Sequence, residues 1–233
     1  MERSLSVLTD KFRQAFMAVS SSFSCCRAYS KRYKNAHDQE SFTTNLPHTL
    51  SKLPVEITYY TETFPFAPVY MPKDQIRKLI ESQMPSYERA TALAEIFLQH
   101  ISFFFRPVGR EQIMEELIPR FYKNRLQDRN ESEGGVVVHR LALLLAVFAL
   151  GAIGDLAAEK PSEEGELYRQ LARTALSLHS IFEGTSLATI QAVSLIGLYE
   201  FFSSNTRTLE SAWKMQALSF SLGSSVCNIL RFM

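Results

Sequence analysis

The chain has 233 residues, 46% hydrophobic and 12% aromatic, which is long and apolar enough to bury a real core and excludes a disordered chain of low hydrophobicity. Its 25 basic and 24 acidic side chains leave a net charge of +1, so the whole chain has no electrostatic drive toward nucleic acid or acidic lipid. Three cysteines, Cys25, Cys26 and Cys227, cannot form a disulfide framework and fit a reducing compartment.

Residues 1–52 read as a Ser-rich linker, partly disordered, with a short amphipathic helix near Leu5 to Val19. The basic group Arg27, Lys31, Arg32 and Lys34 and the polar run Asn35 to Thr44 follow it. Glu2 and Asp10 break any secretory signal and also count against a mitochondrial presequence. From Leu53 to Pro72 the chain carries Tyr59, Tyr60, Phe64, Phe66 and Tyr70 among Pro65, Pro68 and Pro72. Those prolines predict an extended segment that packs its aromatics on a neighbour.

Helical spacing then begins. Lys73 to Gln83 predicts a helix with Ile76, Leu79 and Ile80 inward, and Tyr87 to Phe105 a second through Ala90, Leu93, Ala94, Phe97, Leu98, Ile101 and Phe105. Arg110 to Tyr122 predicts a third, and Lys123 to Gly135 a charged loop with a flexible Gly134-Gly135 end. His139 to Ala158 is a buried core helix, because the apolar run from Arg140 to Asp155 is shorter than the ~20 residues that span a bilayer. Within it Gly151 and Gly154, one turn apart, let a neighbouring helix approach closely. No strand-period segment of useful length appears except the short Val136 to Val138, and no long internal repeat is evident. The fold class is all-α, an irregular helical bundle.

Three tightly connected helices close the chain. The first runs through Leu167, Leu171, Ala175 and Leu178, and Thr185 or Ser186 caps the second. That second helix, Leu187 to Phe202, is apolar almost all round and must be buried on most sides. The third has one row of Leu209, Trp213, Ala217 and Phe220 and another of Ala212, Met215, Ser219 and Leu222, with Glu210 four residues before Lys214. Trp213, the only tryptophan, is expected to be largely buried, with Trp213→Ala costing ~3–5 kcal/mol.

Catalytic and metal signatures are thin. There is no G-x-G-x-x-G, no phosphate-cradling loop ending in Lys-Ser or Lys-Thr, and no G-x-S-x-G elbow. His100, His139 and His179 lack a second His or Cys at metal-face spacing and read as surface or boundary histidines. Glu111, Glu115 and Glu116 read as a solvated face. No catalytic, metal or DNA-contacting residue is expected, and no cofactor.

Four segments in order carry a family resemblance. Pro85 to Tyr122, His139 to Ala157, the Ser-Leu-x-Thr-x-Gln-Ala core Ser186 to Ala192, and the pairs Ala212-Trp213 and Leu222-Gly223 resemble the regulatory "middle homology" domain of fungal zinc-cluster transcription factors, particularly basidiomycete members. The resemblance covers roughly residues 55 to 223, within a domain expected over 53–225. It implies a regulatory role in transcription through protein contacts or effector sensing, a nuclear location, and Gln191, Tyr199 and Trp213 as signature residues with structural roles. The family's DNA-reading module needs six cysteines around two zinc ions, which these three cysteines cannot supply, so this chain alone should bind no specific DNA site. Protein partners or self-association are expected, and no membrane. Residues 226–233 depart from the family into an apolar tail, which reads as a truncated domain, poorly soluble or oligomeric alone. A helical interaction scaffold outside transcription, cytoplasmic rather than nuclear, is the competing reading. Coding sequence for a six-cysteine cluster upstream of Met1 would separate the two.

Overall fold

Among the described residues, Leu141 to Leu150 is the most deeply buried stretch, each residue at most 1% exposed. It is apolar on every face, so only a position with neighbours all round satisfies it. In this computed structural model it is the middle of the central helix. The described residues are 54–68, 73–103, 106–123, 134–155, 163–203 and 206–232, all within one unit spanning 49–233. The Leu5–Val19 helix, the basic group, Cys25 and Cys26 lie outside them.

In chain order the helices are α1 Val55–Thr63, α2 Lys73–Ser82 and α3 Tyr87–Ile96, which widens into a π-helical turn at Phe97–Ile101. A second π-helical turn, Gln112–Leu117, leads into α4 Ile118–Tyr122. Then come α5 Gly134–Gly154, α6 Glu163–Ser177, α7 Leu187–Phe202 and α8 Thr206–Phe232. Among the described residues there is no strand, and the molecule is all-α. Central α5 is flanked by α6, α7 and α3; α1 and α2 lie on α6, and α8 packs chiefly on α7.

The sequence pattern accounts for most of this. Ser86 caps α3 by accepting the Arg89 N–H at 3.3 Å. Acids Glu163, Glu164 and Glu166 occupy the first turn of α6, where the helix dipole favours negative charge. Glu111, Glu115 and Glu116 are exposed as expected, and the Glu210–Lys214 pair forms at 2.8 Å on the outside of α8.

Several expectations are corrected. Residues 55–63 are helical, not extended: Pro54 stands before the first turn and Pro65 after the last, so no proline interrupts it. The central helix starts at Gly134, which places Gly134-Gly135 and Val136 to Val138 inside α5 rather than in a loop or strand. That extension makes Gly135–Gly154 long enough to cross a bilayer, but 83% of its apolar window is buried by its own neighbours. It is a core helix on burial, not on length. In α8 the helix runs on past Gly223 to Phe232.

Gly151 fixes how closely α3 approaches α5. A Cβ there would lie 2.2 Å from the Leu93 carbonyl oxygen, so backbone meets backbone. At Gly154 the neighbours are side chains, Ile96 and Ile101, at 3.2 and 3.3 Å. Gly151→Ala is therefore expected to destabilise the fold by about 2 kcal/mol through overpacking, more than Gly154→Ala. Urea unfolding midpoints of the two variants test this; equal midpoints would remove the close approach as the cause.

Candidate functional site

The Ser186–Ala192 segment is built into the fold residue by residue. Ser186 is the cap of α7: its hydroxyl accepts the Thr189 N–H at 3.2 Å, and the Thr189 hydroxyl accepts the Ser186 N–H at 3.2 Å. This reciprocal pair satisfies two backbone donors that a helix start leaves open. Thr189 reaches further, lying 2.8 Å from Nδ1 of His139 on α5. Nε2 of that ring faces the His179 carbonyl at 3.4 Å, which can only accept. Nε2 thus carries the proton and Nδ1 accepts from Thr189. His139 is 2% exposed, not the surface or boundary residue expected, and burial lowers its pKa to about 4. Nothing local in sequence signals this, because its hydroxyl partner lies on another helix.

Gln191, one turn into α7, is buried and donates to the Pro107 carbonyl at 2.9 Å. Its amide also pairs with that of Gln112, the oxygen of each accepting from the nitrogen of the other at 3.0 and 3.1 Å. It therefore ties α7 to the connection before the second π-helical turn. Ala192 is fully buried, and Leu187 is exposed.

Tyr199, two turns further, borders a buried ionic network between α6 and α7. Arg169 grips Glu166 through Nε at 2.8 Å and Nη2 at 2.6 Å, and reaches Glu200 through Nη1 at 3.2 Å. Glu200 is only 5% exposed by side chain and Arg169 13%. Tyr199 donates to Glu166 at 3.5 Å, its ring lying 5.8 Å from the Arg169 guanidinium. Desolvation opposes the charge on Glu166, but the Arg169 fork outweighs it and holds its pKa below the usual carboxylate range. Desolvation and the neighbouring Arg169 lower the pKa of Arg173, which lies 3.8 Å from Glu200.

Trp213 is not where the sequence places it. It is 42% exposed, with Phe220 at 45% and Ala217 also exposed, whereas the other row, Ala212, Met215, Ser219 and Leu222, is buried against α7. Small groups decide the choice. A Cβ added at Gly197 would lie 3.0 Å from the Met215 Cβ, Ser194 and Ser219 hydroxyls meet at 2.5 Å, and Gln216 donates to the Ser194 carbonyl at 2.9 Å. An indole facing inward would hold the helices apart.

Among the described residues no group of three or more His, Cys, Asp or Glu could hold a metal. The polar side chains brought together here cap, clamp and pair helices. The class this defines is a helical module, one of whose outward faces, on α8, carries Trp213 and Phe220. A family model, the fungal specific transcription factor domain, matches residues 94–226, more than half of the chain. The chain belongs to that family and is a regulatory region of a fungal transcription factor. Comparisons with curated proteins and with solved structures found no match.

Proposed function

We propose that this region controls transcription in the nucleus by contacting another protein through the outer face of α8, without catalysis. The observation that carries this reading is the exposed row Trp213, Ala217 and Phe220 on a helix that packs chiefly on α7. Tryptophan and phenylalanine flanking a small residue offer large, low-entropy contact area, the chemistry of an interface anchor. The regulatory module on this reading begins near residue 53, ahead of the family match, because α1 packs on α6.

Fusing the 233-residue chain to an unrelated DNA-binding domain tests it. Reporter output in a fungal host should differ from that of the DNA-binding domain alone, and the pair Trp213→Ser and Phe220→Ser should cancel the difference. Each side chain is still more than half covered, so each substitution should cost about 1–2 kcal/mol, and output is compared at a temperature where both proteins are folded. Unchanged output in the double variant at that temperature would refute α8 as the contact face.

Effector sensing is a second reading, favoured by polar groups left open in the α1–α6 seam: Tyr60, Gln170 and Arg173 each bury an atom with no hydrogen-bond partner.

A further inference from the structure

Trp213, Ala217, Phe220 and Ser224 follow one another on α8 at steps of four, three and four residues. The first three are exposed and Ser224 is half-buried, while the row facing α7 runs through Ala212, Met215, Ser219 and Leu222. Alternating steps of four and three keep side chains on one narrow stripe, the spacing with which two helices form a seam. Helix α8 therefore carries two seams. One is filled by α7, where Gly197 faces Met215 and the Ser194 and Ser219 hydroxyls meet. The other faces outward.

The order of sizes along the outer seam selects its occupant. It runs large, small, large, small. A second copy of α8 laid antiparallel sets Trp213 opposite Ser224 and Phe220 opposite Ala217. A two-fold axis passing between Leu218 and Ser219 then repeats both pairs. Each of the four layers joins one bulky and one small side chain, which fills space without overpacking. A parallel copy would set Trp213 against Trp213 and Ala217 against Ala217, so that crowded layers alternate with gaps. Charge agrees with the antiparallel order. Met215 to Leu230 contains no charged residue, and Glu210 and Lys214 pair with each other at 2.8 Å. The four layers thus bring no like charges together, and a net charge of +1 per chain gives two copies little repulsion.

We propose that the occupant of the outer α8 face is a second copy of this chain, bound as an antiparallel helix pair about a two-fold axis. The inference rests on the reading of that face as a protein contact and names the partner. The stripe is self-complementary, as an interface between identical surfaces must be. Four layers bury a small area, so the pairing is reversible and micromolar. Output from the region then depends on the concentration of the chain itself.

Sedimentation of the full chain at neutral pH tests this over about 1–100 µM, the range in which so small an interface forms. A monomer–dimer equilibrium is expected. Ala217→Arg should abolish the dimer while leaving the chain folded. Ala217→Phe sets two phenylalanines against each other and should weaken pairing about ten-fold. Adding Phe220→Ala to it restores one bulky and one small side chain to each of these layers and should recover most of the loss. That rescue requires a second copy in this register, because against a different protein the exchange disturbs both positions. A chain monomeric throughout, a dimer indifferent to Ala217→Arg, or a double variant no tighter than Ala217→Phe alone would each overturn the proposal. The reporter fusion keeps the two ideas apart. Output that needs Trp213 and Phe220 in a monomeric chain leaves the contact function standing and removes the second copy as partner. A dimer that responds as described, with output indifferent to both residues, supports the pairing and removes its role in transcription.

Discussion

Acidification from neutral pH to about 4 should remove about 3 kcal/mol of stability through His139 alone. Its pKa is 6.5 when unfolded and about 4 when folded, chiefly because burial disfavours the imidazolium. Between those values the unfolded chain binds the extra proton, so stability rises with pH and is lost as pH falls through that window. Each pKa unit corresponds to about 1.4 kcal/mol. The geometry gives the reason. A proton on Nδ1 would make the Thr189 hydroxyl turn its own proton away from the ring, toward Ser186 Oγ at 2.9 Å, and would leave a charged imidazolium buried with only neutral acceptors. His179 shifts in the same direction, through partial burial and repulsion from Lys73, with Asp74 opposing. Glu166 adds a further loss only at lower pH, since its folded pKa lies below 4.5. His139→Gln has nothing to protonate, so its urea midpoints should change less across this range than those of the wild type. Parallel pH profiles would show that another group carries the dependence.

Sequence reveals the helices more readily than it reveals what they touch. The apolar girth of Leu141 to Leu150 and of α7 marks both as interior helices, and Ser186 followed by Thr189 marks a helix start. The α1 helix is hidden because the aromatics and prolines of residues 53–72 read as one broken stretch, although Val55–Thr63 itself contains no proline. α8 offers two apolar rows, and hydropathy favours the one with Trp213. Close approach favours the other, through Ala212, Ser219 and the facing Gly197, and this is a property of the partner helix. His139 belongs to the same class: its burial is set by Thr189, which the fold brings to it from fifty residues away. Tyr199 and Gln191 stand out in sequence as motif positions. Their partners, Glu166 and the Pro107 carbonyl, come from the packing of α7 on its neighbours.

The buried network on α6 and α7 should give the largest single-residue effect. Arg169→Met is expected to cost about 3–5 kcal/mol, the penalty for leaving a buried charge without its partner. Glu200 would then keep only Arg173, at 3.8 Å, and Glu166 would keep hydrogen bonds from Gln170 and Tyr199 but no cation within its grip. Lysine is no substitute. Arg169→Lys retains the charge but cannot make the two parallel bonds to Glu166 and a third to Glu200, so it should fall between wild type and methionine. The double variant Arg169→Met with Glu200→Gln should recover part of the loss, because the charge most deeply buried leaves together with its partner. Urea unfolding of the three variants at neutral pH measures this order. An Arg169→Met variant within about 1 kcal/mol of wild type would mean that the network is solvated in solution and behaves as a surface cluster.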